Sequence, residues 1–169
     1  MIKSFTVSAI IVLCLLMIET AILSNISALP VVPDLLLLCT IYFSLVNGKT
    51  FGQVSGFASG LVLDFVSGVP LGFNCIYRTI IGYAAGFFCG TLDFTGIFIP
   101  CVLGAAGTIT KFFLIYVISL FFPAITLSYG IISIRFLFEL AINTLLAPIM
   151  FKLLSAFEKM ISIRKREII

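Results

Sequence analysis

The chain has 169 residues, 62% hydrophobic and only 10% charged, with a mean hydropathy of +1.30. Water-soluble domains carry about 45–50% apolar and ~25% charged residues, so this composition excludes a soluble protein and points to an integral membrane one. The net charge of +3 owes much to Lys159 and Arg164-Lys165-Arg166 near the C-terminus, a cluster expected to lie against anionic lipid rather than nucleic acid.

The apolar runs are too long and too uniformly apolar for the alternating strands of a β-barrel, so the spans are helices. The expected fold is an all-α integral membrane protein, a six-helix transmembrane bundle. Its spans lie at about residues 4–28, 33–47, 51–66, 73–90, 97–122 and 131–157, with a basic cytoplasmic tail at 158–169. Lys3 precedes the first span, which ends near Pro30 and resembles a signal peptide, although Glu19 and a weak cleavage site argue that it is retained. Pro33 and Asp34 open the second span, where a proline and an acid suit a helix N-terminus. That span is shorter than the ~20 residues usually needed, so tilt or burial among neighbours is required.

The third and fourth spans carry the most regular pattern. Gly48, Gly52, Gly56 and Gly60 recur every fourth residue and Asp64 continues the row. After the turn Ser67-Gly68-Val69-Pro70-Leu71-Gly72, a second row follows with Asn74, Arg78, Gly82, Gly86 and Gly90. Four-residue spacing places each row on one helix face. Small-xxx-small faces drive helices together, and two such faces on consecutive antiparallel helices favour packing within the chain over dimerisation. Gly52, Gly56, Gly60, Gly82, Gly86 and Gly90 are therefore the candidate helix-packing residues. Near the hairpin tip, an arginine side chain is long enough to join Arg78 to Asp64. In the sixth span Pro148 is expected to kink the helix and free a carbonyl near Asn143 and Thr144.

Six spans place both termini on one side, and the basic tail assigns that side to the cytoplasm. Lys3, Lys49 and the tail then lie inside, whereas the outer connections 24–33, 66–72 and 122–129 hold no Lys or Arg. Glu19, Asp34, Asp64, Lys111, Arg78, Arg135 and Glu139 lie in or beside spans, each costing about 2.5–3.5 kcal/mol at mid-bilayer if unpaired. All but Lys111 fall toward the outer half. They serve either as ion pairs fixing helix register or as a polar, outward-facing pocket or docking surface.

Catalytic and metal chemistry find little to work with. There is no histidine, no G-x-S-x-G and no P-loop. Asp64 and Asp93 sit at opposite ends of their spans, which excludes a paired-aspartate protease on this topology. Cys14, Cys39, Cys75, Cys89 and Cys101 lie in apolar surroundings without metal-ligand spacing and read as packing residues, so no cofactor is expected.

Pro33-Asp34-Leu35-Leu36-Leu37-Leu38, with Gly56-Phe57, Gly60-Leu61, Asp64-Phe65, Ser67-Gly68 and Pro70-Leu71-Gly72, resembles the rod-shape-determining membrane protein MreD. The motif portion covers about residues 33–86, and the remainder matches in hydropathy. The resemblance implies a non-enzymatic, multi-pass protein of the bacterial inner membrane, working in the elongation machinery. Its implied partners are MreC first, then MreB, RodA and a class B penicillin-binding transpeptidase, alongside membrane lipid. Pro33, Asp34, Asp64, Ser67, Gly68, Pro70, Gly72, Arg78, Glu19, Arg135 and Glu139 become the candidate partner or structural residues. The MreD fold is similar to that of the substrate-binding S components of energy-coupling-factor vitamin transporters, which supplies an alternative function. An S component usually presents an alanine-x-x-x-alanine stripe on its first helix, and Ser8-Ala9-Ile10-Ile11-Val12-Leu13-Cys14 has none.

Overall fold

The computed structural model describes residues 2–23, 31–94, 96–121 and 134–162. The far end of the first predicted span, the 122–129 connection, the start of the sixth span before 134 and the Arg164-Lys165-Arg166 cluster lie outside them. The described residues are helical, without strands. Helix α1 (Ile2–Met17) runs into a π-helical turn at Ile18–Ile22 and is followed by α2 (Leu35–Asn47), α3 (Lys49–Ser67) and α4 (Phe73–Ala85). Helices α5 (Phe98–Phe121), α6 (Ile134–Ser155) and α7 (Glu158–Ile161) complete the order. Among the described residues, three segments are long and apolar enough to cross a membrane: Ser4–Ala21, Phe98–Phe121 and Ile134–Ser155.

Helix α2 is the pillar. Leu35 through Val46 are all buried, and every other helix touches it. A helix apolar all round belongs in an interior, and at ~1.5 Å per residue this one is too short to span a bilayer alone. Its two interior hydroxyls are satisfied locally: Thr40 Oγ1 donates to the Leu36 carbonyl at 2.9 Å and Ser44 Oγ to the Thr40 carbonyl at 2.7 Å. At the end near α7, Tyr42, Phe94 and Phe151 pack edge to face, with centroids 5.4 to 6.2 Å apart.

Helices α3 and α4 form the expected hairpin, backbone against backbone. A Cβ on Gly52 or Gly82 would collide with the other's carbonyl, and one on Gly56 with the carbonyl of Arg78. At Gly60 the added carbon would lie 2.6 Å from Cys75 Cα, and at Gly86 2.6 Å from the Lys49 nitrogen. Gly90 does not belong to this seam. Helix α4 ends at Ala85, a single 3₁₀ turn covers Gly86–Phe88, and Gly90 sits beyond it at φ +75° with open space around its Cβ position. Left-handed glycines end helices, so Gly90 is a turn residue and the fourth helix is shorter than expected. Gly48 is likewise a turn residue, at φ +90° between α2 and α3.

Pro148 stays within α6, but Asn143 and Thr144 do not serve its freed carbonyl. Thr144 Oγ1 donates to the Leu140 carbonyl at 2.6 Å, and Asn143 points into the polar cluster described next. Where the tail was expected to begin, α7 docks on the bundle and buries Ile161 completely.

Candidate functional site: a buried ion cluster at the head of α2

A helix presents N–H groups without intrahelical partners at its N-terminus, and burying them unpaired is costly. Helix α2 begins in the interior, so it needs acceptors there. Asp34, its N-cap, accepts from Leu37 N at 2.8 Å through Oδ1, while Glu19 Oε2 in the π turn accepts from Leu36 N at 3.3 Å. Asp34's own N–H donates to Asn143 Oδ1 at 3.0 Å, and Asn143 Nδ2 donates to Thr108 Oγ1 at 3.1 Å.

Two cations converge on Asp34. Arg78 Nη2 donates to Oδ1 at 2.6 Å and Lys111 Nζ to Oδ2 at 2.7 Å. Lys111 Nζ also reaches Glu139 Oε1 at 2.7 Å. Arg78 is wholly buried, and Glu19, Asp34 and Glu139 are nearly so. Helices α1, α2, α4, α5 and α6 are thereby joined at one polar node. Lys111, halfway along an apolar helix, is the charge that joins two carboxylates.

The Arg78–Asp64 bridge that an arginine's length would allow is not formed. Both Asp64 oxygens serve the start of α4: Oδ2 accepts from Gly72 N at 2.9 Å, and Oδ1 from Asn74 N at 3.0 Å and Asn74 Nδ2 at 2.8 Å. The N-cap of α4 is Gly72, which has no side chain, and Asp64 caps that helix from across the hairpin. Arg78 lies one turn further along and turns toward α2. Tyr77 joins the two systems, its hydroxyl donating to Asn74 Oδ1 at 2.7 Å while its ring lies 5.6 Å from the Arg78 guanidinium carbon.

The other expected residues are more peripheral. Pro33 is buried, and its carbonyl accepts from Leu35 N at 3.2 Å. Ser67 and Pro70 are exposed at the hairpin tip, and Gly68 and Gly72 adopt φ of +68° and +97° there. Arg135 is exposed, one turn from the buried Glu139. Sequence reasoning left Asn143, Thr108, Asn74 and Tyr77 out of the candidate site. Their signal was faint: a few polar groups in apolar helices, with partners far along the chain.

Beside the cluster lies a cavity of about 480 Å³, floored by Glu19, Asp34, Arg78, Lys111 and Glu139 and walled by aromatic and aliphatic side chains. Among the described residues, no group of three or more Cys, Asp or Glu is placed to hold a metal.

The family model for rod shape-determining protein MreD matches residues 1–157. The chain belongs to the MreD family. No curated protein and no solved structure matches it. Membership fixes the role of this MreD-family chain as a rod-shape-determining membrane protein and does not favour the vitamin-transporter alternative.

Proposed function

We propose that this MreD-family protein is a non-enzymatic scaffold of the bacterial elongation machinery, coupling MreC and MreB to lateral peptidoglycan synthesis. The family match over nearly the whole chain carries this reading. The charged groups support it: each carboxylate in the cluster accepts from a helix N-terminus or a cation, the arrangement of a rigid frame. In this reading the bundle crosses the inner membrane six times, with both termini cytoplasmic and the ion cluster toward the outer face.

The hairpin tip is the proposed partner-facing surface. Phe65 and Leu71 are 68% and 67% exposed beside Ser67 and Pro70, apolar groups that a partner would cover. MreC is the first expected occupant, with RodA and a class B penicillin-binding transpeptidase reached through it. Affinity capture of the full chain from mildly solubilised membranes is expected to recover MreC, and Leu71→Arg to reduce that recovery while leaving the chain folded. Recovery of an ATPase-coupled transport module in place of wall-synthesis proteins would overturn the reading.

A further inference from the structure

The cavity beside the ion cluster holds an unanswered demand for a ligand. Arg78 is fully buried and lines it, yet Nε and Nη1 have no hydrogen-bond partner among the described residues. A buried donor on a charged group is expensive to leave unpaired. The carboxylates show the complementary lack. Glu19 and Glu139 each use one oxygen, on Leu36 N and Lys111 Nζ, and the other accepts nothing among the described residues. Among the described residues, three carboxylates and two cations meet at this node, and Glu19 is the acid without an ion pair in it.

The site therefore asks for an acceptor and a cation together. A simple anion would satisfy Arg78 but add to the negative charge, and a simple cation would leave Arg78 Nε and Nη1 without acceptors. The walls add a third requirement, because Phe112, Tyr116 and Phe136 are apolar and Ile109 at the margin is 51% exposed. A volume of about 480 Å³ falls in the range of small-molecule sites, ~300–1,000 Å³, and exceeds what a small polar head needs.

We infer that this cavity binds a membrane amphiphile whose head carries a phosphate and a primary ammonium, as in an aminophospholipid. The phosphate accepts from Arg78, a geometry guanidinium favours, the ammonium donates to Glu19 and Glu139, and the acyl chain leaves along the aromatic wall past Ile109. The inference needs the membrane location but no elongation partner, so its failure would leave the scaffold reading standing.

The test uses the full chain, purified in detergent, delipidated and titrated by native mass spectrometry. The probes are phosphatidylethanolamine, phosphatidylglycerol and free phosphoethanolamine. Phosphatidylethanolamine is expected to bind about tenfold more tightly than either alternative. Glu19→Gln keeps the acceptor for Leu36 N but removes the charge, and it is expected to erase the preference over phosphatidylglycerol. Ile109→Trp narrows the exit and is expected to weaken phosphatidylethanolamine about tenfold with an unchanged melting temperature. Equal binding of the two lipids would overturn the zwitterion, and equal binding of free phosphoethanolamine would overturn the amphiphile. Indifference to Ile109→Trp would place the lipid elsewhere and overturn the site.

Discussion

Along the α3–α4 seam two helices meet because they lack side chains, whereas at the head of α2 five helices meet through charged and polar groups. Both regions are buried, and they hold by opposite means. The seam gains dispersion contacts from backbone approach, so any added carbon pushes the helices apart. The ion cluster gains from pairing, and its weakness is the removal of one partner. The seam should fail on addition and the cluster on subtraction.

The largest expected effect breaks the seam. Gly60→Leu places a branched side chain where even a Cβ would lie 2.6 Å from Cys75 Cα and 2.7 Å from its nitrogen. Backbone cannot yield as a flexible side chain can, so the loss is expected to exceed about 4 kcal/mol. In the membrane this reads as loss of folded protein in a detergent melting assay. Gly90→Ala is the control. It introduces strain at φ +75° in open space, and its cost is expected to stay near ~1 kcal/mol.

Next comes subtraction from the cluster. Asp34→Ala strands Arg78 and Lys111 without their shared carboxylate and removes the cap of α2. Breaking a buried pair by deleting one partner costs about 3–5 kcal/mol. Arg78→Ala is expected to cost less, because Asp34 keeps Lys111 and the α2 N–H. If Arg78→Ala proved the more damaging in the same assay, Asp34 would not be the hub.

The two regions also differed in how far the sequence announced them. The seam is written in four-residue spacing within one hairpin, so Gly52, Gly56, Gly60, Gly82 and Gly86 were readable from local periodicity. Only Gly90 misled, because spacing continues past a helix end that glycine itself produces. In the cluster the charged residues were visible as costly groups in apolar runs, but their partners were not. Asp34 finds Arg78 and Lys111 across 44 and 77 residues, and Asn143 across 109. Pairing at such separations depends on how the helices pack, which periodicity does not encode. Hence the nearer acid, Asp64, lies within an arginine's reach along the chain but caps α4 instead.

The middle-sized effect separates those two assignments. Asp64→Ala leaves Gly72 N and both Asn74 donors without their acceptor, at an expected cost of about 1–3 kcal/mol. Asp64 and Arg78 serve different partners, so a double-mutant cycle between them is expected to be additive within ~0.5 kcal/mol. The Asp34–Arg78 cycle is expected to show a coupling of at least ~1 kcal/mol. Reversal of that order would restore the cross-hairpin bridge.

The smallest effect tests whether the hairpin cap and the ion cluster are one system or two. Tyr77 is the physical link, with its hydroxyl on Asn74 Oδ1 at 2.7 Å and its ring beside the Arg78 guanidinium. Tyr77→Phe removes the hydroxyl and its bond to Asn74 while keeping the ring beside the Arg78 guanidinium. The expected loss is about 1 kcal/mol, one buried hydrogen bond, read as a small fall in melting temperature. Asn74 holds Asp64 with its amide and Tyr77 with its carbonyl, so losing either partner loosens the same side chain. Tyr77→Phe combined with Asp64→Ala should therefore cost less than the sum of the two, whereas Tyr77→Phe with Asp34→Ala should be additive. Equal coupling to both acids would mean that the cap and the cluster move together, and the contrast between seam and cluster would have to be redrawn around Tyr77.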